Sequence, residues 1–139
     1  MARSIMGLFA GLISAFIVIA LVEMLGHSIY PPPEGLDFSD PEQLKTHIDK
    51  LPFGALFFVL LAYWVGSFAG GLTLGIIASK RPQVFALILG GLLTIAGLLN
   101  LLDLPGHPIW FWILSLASYI PLTLLGLKYS SRLVKQSQS

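Results

Sequence analysis

Residues 5–33 read IMGLFAGLISAFIVIALVEMLGHSIYPPP, and the fold class turns on this run. From Ile5 to Leu25 it carries one charge, Glu23, and one hydroxyl, Ser14. A helix rises about 1.5 Å per residue, so a run of this length covers the roughly 30 Å of a bilayer's hydrocarbon. It is longer than the core of about 7–15 residues that a secretory signal uses, and no small-x-small cleavage site follows, so an uncleaved first span is expected. Pro31-Pro32-Pro33 supplies the helix-stopping chemistry after it.

Three further runs have the same character: Phe53 to Ala78, Val84 to Leu102 and Ile109 to Leu127. Lys80-Arg81-Pro82 ends the second, and Leu104-Pro105-Gly106-His107-Pro108 ends the third. The whole chain is 55% hydrophobic and 11% charged, with a mean hydropathy of +0.83, against roughly 25% charged residues in soluble domains. An all-α membrane protein of four transmembrane helices follows, in a single domain of 139 residues with spans about 5–25, 53–78, 84–102 and 109–127. Cysteine is absent, which excludes disulfides, thiolate metal sites and thiol catalysis.

Charge placement orients the chain. Arg3, Lys80, Arg81, Lys128, Arg132 and Lys135 fall on one side of a four-span arrangement, with no acidic residue among them. The other side receives all seven Asp and Glu residues, all three histidines, Lys45 and Lys50. Positive-inside reasoning puts both termini in the cytoplasm and the loop 28–52 outside. That loop opens extended through its prolines. A short amphipathic helix is expected at SDPEQLKTHIDKL, where Ser39 or Asp40 caps, Pro41 takes the first helical position, and Leu44, Ile48 and Leu51 share a face. That face would rest on the membrane surface or over the bundle, with Lys45, Asp49 and Lys50 outward.

Helices in lipid associate largely through close backbone approach at small residues. Gly7, Gly11 and Ala15 supply such a stripe in the first span, Gly66, Ser67, Gly70, Gly71 and Gly75 in the second, and Gly90, Gly91 and Gly97 in the third. Trp110, Phe111 and Trp112 suit an interfacial aromatic belt. Tyr63 and Trp64 lie about 15 Å down their helix and read as packing residues whose polar tips bond a neighbouring helix. Asn100 reads as an interhelical hydrogen bond.

EMLGHSIY at 23–30 and DLPGHPIW at 103–110 match without a gap as acid, two spacers, Gly, His, spacer, Ile, aromatic. At the same offset Gly11-Leu12 meets Gly91-Leu92, and Ser14 meets Thr94. The pattern reads as two duplicated hairpins in parallel repeat. Glu23 and His27 are neighbours on a helix if it continues through Gly26, whereas Asp103 and His107 need a turn at Pro105-Gly106. Glu23, His27, Asp103 and His107, with His47 as a cover, make a candidate site for a divalent metal such as zinc, or for a proton. The plainer reading is that interfacial Asp, Glu and His cap and hydrate helix ends, with no cofactor at all.

No metalloprotease, nucleophile-elbow, phosphate-loop or dinucleotide pattern occurs, so no catalytic residue is assigned. Three classes stay open: a non-catalytic accessory or scaffold protein; a small transporter or channel component, which would show a polar path through Ser67, Thr73, Thr94 and Ser115; and a membrane protein with an outer-face metal or proton site. Membrane lipid, a second copy of the chain or another membrane protein are the partners to expect. Nothing points to nucleic acid. The basic tail KYSSRLVKQSQS reads as a topology anchor attracted to anionic lipid.

HSIYPPPEGLDF, the glycine-rich second span and GHPIWFW together resemble a family of small four-span bacterial inner-membrane proteins, over most of the chain. The resemblance implies a bacterial inner membrane and supplies no activity, ligand or catalytic residue.

Overall fold

A computed structural model describes residues 1–31, 33–37, 39–104 and 106–138. Among these the structure is all-helical: α1 (Ala2–Ile29), α2 (Pro41–Asp49), α3 (Phe53–Ile77), α4 (Pro82–Asp103) and α5 (Ile109–Gln138). α1, α3, α4 and α5 are long and apolar enough to cross a membrane. Two expected boundaries move. α1 continues through Gly26 to Ile29, because Gly26 is packed against Phe58 of α3, where a Cβ would lie 3.1 Å from the Phe58 Cβ. α5 continues past Leu127 through the basic tail, and it passes through Pro121, whose ring faces outward. Proline inside a membrane helix is tolerated where neighbouring groups take up the freed carbonyl.

α3 is the central helix, with α1 on one side and α5 on the other; α4 packs on α5 and touches α1 sparingly. Small residues set the spacing. A Cβ on Gly11 would lie 2.7 Å from the Gly70 carbonyl oxygen, and one on Gly71 would overlap the Thr123 carbonyl. Gly97 leaves room for the Tyr119 hydroxyl, and Gly91 has open space around it. Gly11 and Gly91, equivalent in the sequence repeat, therefore occupy unlike settings. The α3–α4 turn is reversed by Arg81 at φ 48°, a left-handed conformation costing an L-residue about 1–2 kcal/mol. Ser4 ties the start of α1 to this turn, its Oγ donating to the Lys80 carbonyl at 2.7 Å and accepting from the Lys80 amide at 3.1 Å.

The hydroxyls that a transport path would need are engaged. Ser67 donates to the Tyr63 carbonyl, Thr94 to Gly90, Ser115 to Trp112, and Thr73 to the Ser14 hydroxyl. Ser67 and Ser115 have no exposed surface. Tyr63 bonds the neighbouring helix as expected, its hydroxyl accepting from Asn100 Nδ2 at 2.8 Å. Trp64 does not: its buried Nε1 has no partner among the described residues.

At the loop end, opposite the termini, Asp40 caps α2 by accepting from the Glu42 amide at 3.0 Å, and Pro41 opens the helix. Ser39 instead donates to Asp37. Leu44 and Ile48 are buried while Lys45, Asp49 and Lys50 are exposed, so α2 lies across the top of the bundle.

A His- and Glu-lined chamber as the candidate functional site

Beneath α2 is a cavity of about 330 Å³ that draws on every helix of the loop end except α5. α1 contributes Glu23, Gly26 and His27, with Tyr30 just past its end; α2 contributes Leu44, His47 and Ile48. Ala55, Phe58, Val59 and Tyr63 of α3 form a wall, and Asn100, Leu104 and His107 close the far side. The Tyr63–Asn100 hydrogen bond is its floor, since both residues lie at the deep end of the lining. Tyr30 meets Phe58 edge-on with centroids 6.2 Å apart, and Gly54 makes this possible because a Cβ there would overlap the Tyr30 hydroxyl.

Glu23 and His27 sit one turn apart on continuous helix. His107 reaches the chamber from the α4–α5 connection. Its ring stacks on Phe111 at 4.8 Å, and Nδ1 lies 2.9 Å from the Leu104 carbonyl. A carbonyl only accepts, so Nδ1 carries the proton and Nε2 keeps its lone pair.

Glu23, His27, His47 and His107 thus line one space. Asp103 does not: it is the last residue of α4, exposed, and absent from the lining. The ungapped repeat concealed this difference, because α1 runs six residues beyond its acid whereas α4 ends on its own. Pro105, between Asp103 and His107, lies outside the described residues. Among the described residues no three His, Asp or Glu side chains converge as an ion's ligand set. The imidazoles stand on different walls of the chamber. What the arrangement can do is present one carboxylate, three imidazoles, two phenols and an amide to a guest held among apolar side chains.

Tyr30, Tyr63 and Asn100 are chamber residues that sequence reasoning assigned to no site. A tyrosine and an asparagine within oily helices were the available signal; each was expected to bond a neighbouring helix, and that they bond each other was not.

Burial holds the His107 imidazole below its ordinary value of 6.5, with the Leu104 hydrogen bond pulling the other way. Folding therefore favours the neutral ring. That stability is complete above about pH 6.5 and is lost as pH falls through the lower folded value. The thermal unfolding midpoint should drop on acidification from about pH 7 to 5, and His107→Gln, which can still donate to Leu104 but does not titrate, should flatten the drop. Identical slopes for the two chains would show that His107 is not the group responsible.

Compared with known proteins, the chain matches no family model, no curated protein and no solved structure.

Proposed function

We propose that this chain is a non-catalytic protein of a bacterial inner membrane, with both termini cytoplasmic, that holds a small guest in the chamber at its outer face. The observation that carries this reading is the convergence of all three histidines, Glu23 and the Tyr63–Asn100 pair on one cavity roofed by α2. A scaffold built only to pack against a partner has no use for such a cavity. The engaged hydroxyls of Ser67, Thr94, Ser115 and Thr73 favour retention at the outer end over passage across the membrane. The absence of any catalytic pattern in the sequence favours binding without chemistry.

Orientation rests on Arg3, Lys80, Arg81, Lys128, Arg132 and Lys135 at the terminal end. The cysteine-free chain makes it simple to test. An impermeant maleimide applied to intact cells should label Glu34→Cys and spare Lys135→Cys, and the reverse pattern would invert the topology.

The binding reading is tested by purifying the chain from native membranes beside a variant with a filled chamber, Val59→Trp. A bound mass present in the first and missing from the second is the expected result. A protein partner retained equally by both, with no small guest in either, would replace this reading with the scaffold one. One equivalent of zinc in the first, lost with His47→Phe, would put an ion in the chamber.

A further inference from the structure

A second cavity, of about 230 Å³, adjoins the chamber and shares Glu23, Tyr63 and Asn100 with it. Its other walls are apolar, chiefly Phe16 and Ile19 of α1 and Leu93 and Ala96 of α4. It therefore lies where α1 and α4 touch sparingly, and the outward neighbours Ile17, Leu92 and Ile95 face the lipid side. Two further facts bear on what fits there. Tyr119 lines this cavity, is 2% exposed, and its hydroxyl has no hydrogen-bond partner among the described residues. Glu23 likewise makes no hydrogen bond or ion pair among the described residues, and no Lys or Arg lines either cavity.

His27 stands one turn away but does not bond Glu23, and a carboxylate taken partly out of water without a hydrogen-bonded partner is costly, so a guest carrying a positive charge suits this position. Glu23 is six residues from the end of α1, which places it about 9 Å below that end, at the depth where a lipid's head meets its chain. The phenol rings of Tyr63 and Tyr119 add faces that attract cations, and Tyr63 keeps its own proton to donate because it accepts from Asn100. A phosphate or carboxylate head beside Glu23 would meet like charge, with no Lys or Arg in either cavity to offset it.

Resting on the reading of the chamber as a binding site, we propose that the two cavities together hold a single-chain amphiphile with an ammonium head. The head sits beside Glu23, and the hydrocarbon chain leaves between α1 and α4 into the membrane. An ammonium on a chain occurs both in free long-chain amines and in ethanolamine lipids, so the experiment separates them.

Equilibrium binding of radiolabelled tetradecylamine and of tetradecanol to the whole protein in maltoside micelles is the test. Saturable binding of the amine is expected, with the alcohol weaker. Glu23→Gln should weaken the amine by about tenfold or more, as loss of a charge-assisted hydrogen bond does, and leave the alcohol unchanged. Glu23→Asp should keep most of the amine affinity, which separates charge from misfolding. Ala96→Phe, filling the cleft, should exclude both probes. Competition by lysophosphatidylethanolamine would identify the lipid as the source, and failure to compete would identify the free amine. Equal affinity for amine and alcohol, or a Glu23→Gln chain that binds the amine like the parent, would overturn the proposal. If a native guest is recovered from the chamber while the amine does not bind, the ammonium site falls and the chamber stands; if neither is found, both fall.

Discussion

A Gly71→Val chain should fail to assemble its bundle, and Gly71→Ala should already lose about 1–3 kcal/mol of stability, the range for an atom forced into a packed interface. The reason is local. The added Cβ would occupy the position of the Thr123 carbonyl oxygen, which belongs to the backbone of α5 and cannot rotate away. Relief would require α3 and α5 to separate, and with them the Tyr63–Phe111 and Tyr63–Tyr119 ring contacts that continue the same interface towards the chamber. Gly91→Ala is the matched control: it adds the same atom in open space and should be neutral or slightly stabilising. Reversible unfolding in bicelles reads both. Equal losses at the two positions would mean that helix flexibility, and not the α3–α5 approach, is what glycine supplies.

Ile48→Asp carries the second large effect, because it places a charge on the buried underside of α2. Ile48 is 6% exposed, and losing its burial forfeits about 1.5–3 kcal/mol before the cost of the carboxylate is added. Since 1.4 kcal/mol is a factor of ten, the undocked state of α2 should become roughly 30-fold more populated or more. Ala55 lies on the chamber wall at 8% exposure, so an Ala55→Cys reporter should react slowly with an aqueous maleimide in the parent background. With Ile48→Asp it should react faster by that factor. An unchanged rate would mean that α2 does not shield the chamber.

Much of the architecture was legible because lipid imposes a simple rule, that a span must satisfy its own backbone and be apolar throughout. The four spans, the α2 cap at Asp40 and the buried Leu44–Ile48 face all follow from rules that act over a few residues. The helix ends were harder. The sequence leaves open whether the first helix runs through Gly26, which is a contact point in the fold, while the tail beyond Leu127 has the polarity of a loop and the propensity of a helix. The site was half legible for a related reason. Matching residues eighty positions apart established that Glu23 and Asp103 are alike in sequence, but the direction a side chain takes depends on where its helix ends. Glu23 lies inside its helix and faces the chamber; Asp103 terminates its own and faces away. Tyr63, Asn100 and Tyr119 come together from three helices, and no pattern within any one of them predicts that meeting.

α2 rests partly on the α4–α5 connection, where a Cβ on Gly106 would lie 2.9 Å from the Lys45 carbonyl oxygen. During synthesis α2 leaves the ribosome well ahead of that seat, since Gly106 follows Asp49 by 57 residues (106 − 49). The α1–α3 pair can form as soon as Ile77 is in the membrane. The lid cannot settle until the last hairpin arrives, and its Leu44–Ile48 face must wait against the bilayer surface. The chamber therefore cannot close before the α4–α5 connection is made. A nascent chain halted before Gly106 would present Glu23 and His27 without the seat that α2 settles on.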